Sequence, residues 1–315
     1  MDRSKQITEG AILTAIYVVL LLVSFLIPLI GTLMLVVLPI PFIIFTYKHG
    51  WKPSLIMAIA AAVVSFIFTN VITIPMTLVT AIGGIMIGSG LHQKRSSYET
   101  WARGTAGFAV GLVLSFLFVQ LVFDINISQE IDQQMGMVME QSNQMIEQFN
   151  MGDEAAQQFD MIEEQMDIVK NLLPLALVFA AIIYAFISQW LAYKVINRID
   201  QKSFRFPPFR DLSFPPAILW IYLVAILMTL FQTDQEGMFF ITIQNVVMLA
   251  GMLMLIQGLS LIFYYTYHKE LSIALPIIVV IFGVFYAPIA FPFIRILGII
   301  DIGFKLRERI SKKKK

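Results

Sequence analysis

Apolar residues along this chain fall into long runs that are separated by short polar segments. A helix that crosses the hydrocarbon core of a membrane needs about 20 mostly apolar residues. Nine runs approach that length, and they predict membrane segments at 10–30, 32–47, 53–71, 74–91, 104–123, 172–193, 216–232, 238–264 and 272–290. The first run is too long for a signal peptide and has no small-residue cleavage site, so we expect it to be retained.

The segment 291–304 is expected to return as a short tenth span or as a re-entrant segment. It contains Pro292, Arg295, Gly298 and Asp301, which suit a broken helix buried among other helices better than a helix facing lipid. The pattern therefore predicts an all-α protein, a polytopic transmembrane helix bundle with about nine or ten membrane segments.

One long polar segment, residues 124–170, interrupts this pattern. It holds eleven acidic residues and Lys170 as its one base, so its net charge is −10 and that of the remaining chain is +11. Its apolar positions step by three or four residues from Ile131 to Phe149 and again from Phe159 onward. This spacing predicts two helices with one apolar stripe each. The turn at 150–153, which contains Asn, Gly and Asp, predicts that they form a hairpin.

Basic residues occur at alternate ends of successive predicted spans. They are Arg3, Lys5, Lys48, Lys52, Lys94, Arg95, Arg103, Lys194, Arg198, Lys202, Arg205 and Arg210. The positive-inside rule places these ends and both termini in the cytoplasm and the acidic hairpin outside. We therefore expect a five-helix membrane half at 1–123, an extracytoplasmic hairpin at 124–170, a second membrane half at 171–304 and a basic cytoplasmic tail at 305–315.

Composition supports a membrane protein and argues against an enzyme. Hydrophobic residues make up 58% of the chain and charged residues only 14%, whereas soluble domains are about a quarter charged. The absence of cysteine fits a bacterial membrane protein and removes thiolate chemistry. There is no catalytic or P-loop motif, and no basic patch with interleaved aromatics that would bind nucleic acid. The methionines of the acidic segment suit helix packing better than metal binding, so neither a metal nor a cofactor is predicted.

Polar side chains within the spans are the candidates for a substrate cavity. They are Asn70, Thr73, Thr77, Thr80, Gln244, Asn245 and Arg295. Buried polar groups must find partners, which could be a polar substrate or another helix of the bundle. For Arg295 the alternatives are a side chain that reaches the interface or pairs with Asp301, and a fixed charge that attracts an anionic group.

Three pairs of small residues recur four positions apart. They are Ala11 and Ala15, Gly84 and Gly88, and Gly107 and Gly111. Such pairs let helix backbones approach closely, so we expect them at contacts between helices of this chain or with a partner.

The aromatic, basic and proline-rich stretch 204–216 is expected to lie along the lipid headgroups, with its aromatic side chains inserted and its arginines on phosphate. The alternative is a docking site for a soluble partner.

Four stretches together resemble the YybS-like family of bacterial membrane proteins. They are 8–15 (TEGAILTA), 39–41 (PIP), 48–52 (KHGWK) and 295–301 (RILGIID). The N-terminal part is also distantly similar to the S components of energy-coupling factor importers. In those proteins a small-residue motif on the first helix packs against the coupling subunit, and Ala11 and Ala15 occupy the matching positions. The resemblance implies a coupling subunit and an ATPase module as partners.

Two functions follow as hypotheses. The first is a permease-like membrane subunit that binds and helps to transport a small molecule. The alternative is a structural or sensory membrane protein without transport activity, in which the external hairpin binds a partner protein or a second copy of the chain. In both cases we expect a multi-pass protein of the bacterial cytoplasmic membrane, in contact with membrane lipid.

Overall fold

The structure, a computed structural model, describes residues 3–149, 170–231 and 237–312. Within these residues the regular elements are thirteen α-helices and one turn of 3-10 helix at Phe209–Asp211. The first seven helices are α1 (Arg3–Leu26), α2 (Pro28–Val37), α3 (Ile40–His49), α4 (Trp51–Phe68), α5 (Thr73–His92), α6 (Ser97–Phe123) and α7 (Ile127–Phe149). The others are α8 (Leu173–Asp200), α9 (Pro216–Leu230), α10 (Met238–His268), α11 (Ala274–Phe285), α12 (Ala287–Phe304) and α13 (Leu306–Lys312). The predicted all-α fold is confirmed.

Within the part of the chain that the structure describes, seven helices are long and apolar enough to cross a membrane. They are α1, α4, α5, α6, α8, α10 and α12. Three further apolar stretches, Leu33–His49, Pro216–Leu230 and Ala274–Phe285, have fewer than 18 residues. The predicted segments therefore correspond to seven helices of spanning length and three shorter ones.

The predicted boundary between residues 290 and 291 is wrong. The helix break lies at Tyr286, whose φ of −121° and ψ of 40° are not helical. Pro288 stands in the first turn of α12, where its missing N–H costs no helical hydrogen bond. As a result α11 is short, and α12 is a full helix of 18 residues that includes Pro292.

The chain divides into two compact units. The N-terminal unit comprises Met1–Lys170 and Ala176–Phe206, and the C-terminal unit comprises Asn171–Leu175 and Pro207–Lys315. Each has its own core. In the N-terminal unit α5 packs against α3, α4 and α6, and in the C-terminal unit α10 packs against α9, α11, α12 and α13.

The acidic segment begins as predicted with a long helix, α7. Residues 150–169, which hold the predicted turn and most of the second helix, lie outside the described residues. The ammonium group of Lys170 lies 2.9 Å from the carboxylate of Asp132, near the start of α7. The chain thus returns at the end of the segment to the place where the segment began.

The prediction that the aromatics of 204–216 insert among lipid headgroups is wrong for Phe204 and Phe206. Phe204 stacks on Tyr193 with ring centroids 5.5 Å apart, and Phe206 lies 4.9 Å from the ring of Phe186. The backbone N–H and carbonyl of Phe204 both bond to the side chain of Asn197 at 2.8 Å. These contacts hold both rings against the core of the N-terminal unit.

Candidate functional site

Two of the predicted cavity residues, Thr77 and Thr80, meet at one tyrosine in the N-terminal unit. They lie with Thr73 on one buried face of α5, and Tyr17 of α1 contacts their hydroxyl groups. The Tyr17 hydroxyl donates to Oγ1 of Thr77 at 2.8 Å, and Oγ1 of Thr80 lies 3.3 Å from the same hydroxyl. Tyr17 is completely buried, so these polar contacts lie inside the unit.

The hydroxyl groups of this cluster already have partners. Thr77 donates to the carbonyl of Thr73 at 3.0 Å, and Thr80 to the carbonyl of Met76 at 2.9 Å. Bonds to carbonyls one turn earlier are the usual solution for threonine in a helix. In this conformation the cluster joins α1 to α5, and a ligand would have to exchange with the bonds of Tyr17.

Sequence reasoning missed Tyr17. The available signal was its position as the one tyrosine in the apolar run 10–30, since a buried tyrosine hydroxyl needs a hydrogen-bond partner.

Asn70 is exposed and does not join the cluster. Its side-chain oxygen accepts from the backbone N–H of Ile72 at 2.9 Å, in the turn between α4 and α5. Asparagine commonly makes such a bond to the backbone two residues on. This local hydrogen bond explains why an asparagine occupies the turn.

The two amides of the C-terminal unit have different surroundings. Gln244 is exposed, whereas Asn245 is buried. The Asn245 side chain accepts from the N–H of Leu175 at 3.1 Å and donates to the carbonyl of Asn171 at 2.7 Å. The first bond satisfies the N–H of Leu175 in the first turn of α8, which has no partner within that helix, and the second holds the carbonyl of Asn171 just before the helix.

Arg295 is partly buried on α12 and makes no ion pair among the described residues. One terminal nitrogen donates to the Tyr222 hydroxyl at 3.2 Å, while Nε is buried without a hydrogen-bond partner in the part of the chain that the structure describes. Its guanidinium packs over Gly251, where a Cβ would approach Cζ to 3.1 Å. A charged side chain in such a position along an apolar helix is costly and commonly functional.

The proposed pairing of Arg295 with Asp301 is wrong, because Asp301 pairs with Arg307. Nε of Arg307 lies 2.8 Å from the Asp301 carboxylate, whose side chain is only 2% exposed. The same carboxylate oxygen accepts from Gln257 at 2.5 Å. The turn at Lys305, with φ of 51°, ends α12 and lets Arg307 reach back to the carboxylate.

This ion pair belongs to a larger polar network. Arg307 also donates to the carbonyl of Arg210 at 2.8 Å and to the hydroxyl of Ser260 at 3.0 Å. Ser260 in turn donates to the carbonyls of Phe209 and Leu212. The network joins α10, α12 and α13 to the loop before α9.

The small-residue pairs divide into buried and exposed ones. Gly84 and Gly88 face α3, where added Cβ atoms would come within 2.9 Å of the Pro39 carbonyl and 2.7 Å of the Ile43 carbonyl. Gly107 and Gly111 face α5, as a Cβ at Gly111 would lie 2.8 Å from Cα of Val79. Ala11 and Ala15 differ from these glycines because both are exposed on α1. Within the N-terminal unit, no helix of the described residues covers that alanine pair.

A closer helix contact occurs in the C-terminal unit at two glycines that sequence analysis did not select. A Cβ at Gly258 would lie 1.9 Å from the carbonyl oxygen of Ile294, and one at Gly298 would lie 1.9 Å from that of Met254. These two glycines let α10 and α12 touch through their backbones. The two glycines lie on helices that are separated in the sequence, so no fixed spacing between them could identify the pair.

No three His, Cys, Asp or Glu side chains within residues 3–149, 170–231 and 237–312 group closely enough to hold a metal ion. The candidate residues thus offer hydroxyl, amide and guanidinium groups, which suit hydrogen bonding and anion binding.

Comparison with known proteins agrees with the membrane architecture. The chain is 29% identical over 311 residues to the uncharacterised protein YybS of Bacillus subtilis (strain 168), covering 99% of this chain and all of that protein. No solved structure matches the chain. The model of a family described as "Predicted membrane protein (DUF2232)" matches residues 15–302. The chain is therefore an integral multi-pass membrane protein that belongs to the DUF2232 family.

Proposed function

We propose that this protein is a membrane subunit that binds a small molecule and docks on a partner subunit through the outer face of α1. The observation that carries the proposal is the exposure of Ala11 and Ala15. Small residues at this spacing allow close helix contact. Neighbouring helices bury the two glycine pairs, but none of those in the described part of the N-terminal unit covers this alanine pair.

The surroundings of the two alanines also suit a helix contact within a membrane. Ile12 and Ile16 on the same side of α1 are 55% and 45% exposed, so the surface is apolar. Tyr17 anchors the other face of the helix through its bond to Thr77. A partner helix could therefore pack on the outer face while the inner face stays attached to α5.

Exposed alanine pairs at the same spacing also occur on α6, at Ala102 and Ala106, and on α8, at Ala176 and Ala180. The similarity of the N-terminal stretch to S components distinguishes the pair on α1. The other pairs provide matched controls.

The orientation in this proposal follows the distribution of charge. The basic ends of the spans and both termini lie in the cytoplasm, and residues 124–170 lie outside the bacterial cytoplasmic membrane. The small molecule then reaches the protein from the side that carries the acidic segment, and the ATPase module engages from the cytoplasm.

The binding groups in this proposal are the polar candidates. The hydroxyls around Tyr17 can exchange their mutual bonds for bonds to a polar ligand, and Arg295 supplies a positive charge that no acidic residue of the described chain neutralises. Asn245 and Asn70 have a structural role in this proposal, because their side-chain oxygens already accept hydrogen bonds from backbone N–H groups.

The experiment is purification from native membranes in mild detergent, with mass spectrometry of the proteins that remain bound. We expect an ATPase module to co-purify with the wild-type chain. The double substitution Ala11→Leu and Ala15→Leu should release it, because two larger side chains hold the helices apart. The control is Ala102→Leu with Ala106→Leu, which makes the same change on exposed positions of α6. Docking through α1 would be contradicted if the ATPase module co-purified equally with both double variants, or if both variants lost it.

A specific observation also favours the alternative of a structural or sensory protein. On α7, Met137 and Val138 are 48% and 55% exposed, so the acidic helix presents apolar side chains that could pair with another helix. Deleting residues 128–167 discriminates between the two. Loss of a bound protein with retention of the small molecule favours an accessory arm. Loss of every phenotype, with no small molecule bound to the wild type, favours the alternative.

A further inference from the structure

A cavity of about 280 Å³ opens at one end of the C-terminal unit. It lies between the 3-10 turn, the last turns of α10 and the start of α11. Its lining residues include Arg210, Phe263, Thr266, Tyr267, Ile273 and Pro276. Pockets for small molecules in proteins usually have volumes of about 300–1,000 Å³, so this one can hold part of a larger molecule.

The lining combines one positive charge with an otherwise apolar wall. The guanidinium of Arg210 lies over the ring of Tyr267, 3.7 Å from its centroid. The hydroxyl of Thr266 is occupied, because it donates to the carbonyl of Ile262 at 2.7 Å. No carboxylate lines the cavity; Asp211 and Glu270 are neighbours in the sequence, but both are exposed and outside the lining.

The position of Arg210 is fixed by its backbone and leaves its side chain available. Its carbonyl accepts from Arg307, which is itself held by Asp301. The side chain makes no ion pair among the described residues, and its guanidinium lies over the ring of Tyr267. A guanidinium that contacts an aromatic ring through its central carbon keeps N–H groups at its edge free to bind phosphate.

We propose that this cavity binds one anionic phospholipid. The lipid phosphate accepts hydrogen bonds from Arg210, and the upper part of an acyl chain lies against Phe263, Ile273 and Pro276. A soluble anion would use the guanidinium but leave the apolar wall in contact with water, whereas an anionic amphiphile matches both parts of the lining. Arginine and tyrosine are the side chains expected at the headgroup layer of a membrane, where such lipids lie.

The test is native mass spectrometry of the purified full chain in detergent, after equal additions of phosphatidylglycerol and phosphatidylcholine. We expect the wild type to retain phosphatidylglycerol preferentially. Arg210→Gln should reduce this retention by about fivefold, the factor expected of one basic side chain at an anionic lipid surface. The control is Arg205→Gln, an exposed arginine of the preceding loop that does not line the cavity.

A second variant covers the case in which Arg210→Gln does not fold. Ile273→Trp fills the apolar part of the cavity without removing a charge, and it should also lower retention of phosphatidylglycerol. The proposal is overturned if both folded variants retain the lipid like the wild type, if Arg205→Gln lowers retention equally, or if the wild type binds both lipids equally. Stabilisation by inorganic phosphate with no lipid retained would also overturn it, since that result indicates a soluble anion.

Discussion

Tyr17 shows how one hydroxyl can join two helices in an apolar environment. Its bond to Thr77 is buried, and interhelical bonds of this kind contribute about 0.6 kcal/mol on average and up to about 1.7 in membrane proteins. We expect Tyr17→Phe to lower the free energy of unfolding by about 1 kcal/mol, because Thr77 then loses its partner on α1. The measurement is equilibrium unfolding in mixed detergent micelles.

The control for Tyr17→Phe is Tyr265→Phe, which removes the hydroxyl of an exposed tyrosine on α10. That change should have little effect. Equal stability of the wild type and Tyr17→Phe would show that the hydroxyl cluster does not hold α1 on α5.

Asp301 and Arg307 form the most buried ion pair of the described residues. Removing one partner of a buried pair leaves the other charge uncompensated, which costs about 3–5 kcal/mol. We therefore expect Asp301→Ala to unfold the C-terminal unit far more readily, as measured by thermal unfolding in detergent. Glu308→Ala is the matched control, since its pair with Lys305 is exposed and worth about 0–1 kcal/mol.

A double variant separates the charge effect from packing. In Asp301→Leu with Arg307→Met, no charge remains uncompensated, so much of the lost stability should return. If the double variant is no more stable than Asp301→Ala, the hydrogen bonds of Gln257 and Ser260 contribute more to stability than the charge does.

Replacing Arg295 should affect stability less than breaking the ion pair between Asp301 and Arg307. Arg295→Leu removes a charge without an ionic partner and loses one bond to Tyr222, so expression and stability should change little. If Arg295 attracts an anionic group, the same variant should retain less of any small molecule that co-purifies with the wild type, measured by mass spectrometry. Lost expression with unchanged ligand retention would assign the residue a structural role only.

At the scale of helices, the apolar pattern predicted the membrane segments but not all of their ends. Pro28 begins α2 and Pro288 is the second residue of α12, and proline fits the first turn of a helix. Pro292 lies inside α12, although a proline there removes a hydrogen bond. Whether a helix tolerates that loss depends on its packing against neighbours, which the local sequence does not specify.

The backbone contact between α10 and α12 can be tested by a single substitution. In Gly298→Ala the new methyl group would lie 1.9 Å from the Met254 carbonyl oxygen, so the helices must move apart. Overpacking of this kind costs about 1–3 kcal/mol, and more where backbone rather than a side chain must shift. We expect Gly298→Ala to lower the unfolding temperature of the purified protein markedly.

Gly136→Ala is the control for this substitution. Nothing lies within 4 Å of a Cβ at Gly136 on α7, and alanine favours a helix over glycine by about 1 kcal/mol. This variant should match or exceed the stability of the wild type. A Gly298→Ala protein that unfolds like the control would mean that α10 and α12 do not meet at these glycines.

For the whole molecule, the sequence predicted the membrane class better than it predicted the candidate site. Long apolar runs follow directly from bilayer thickness, and each of the ten predicted segments corresponds to an apolar helical stretch of the described residues, although only seven of these helices have spanning length. The sequence identified polar residues as candidates for the site, but it did not identify their hydrogen-bond and ion-pair partners. Asp301 meets Arg307 six residues later because the chain turns at Lys305, and Tyr17 meets Thr77 because α1 packs near α5. Such meetings depend on tertiary packing.

Orientation in the membrane is the prediction on which the proposed transport role depends. The chain has no cysteine, so each single-cysteine variant carries one reactive thiol. We expect Gln141→Cys on α7 to react in intact cells with a membrane-impermeant maleimide, because the charge of −10 on residues 124–170 predicts that this segment faces outward. Lys202→Cys and Ser311→Cys should react only after permeabilisation, because basic segments stay in the cytoplasm.

The three positions are exposed in the described structure, so a thiol that fails to react is shielded by the membrane rather than by the fold. Labelling of Gln141→Cys alone fits an acidic arm on the side from which a small molecule enters and a cytoplasmic surface for an ATPase. Labelling of Ser311→Cys and Lys202→Cys in intact cells, with Gln141→Cys protected, inverts the membrane orientation. Docking of a cytoplasmic ATPase at the basic side would then be impossible, whereas the helix contacts within each unit would be unaffected.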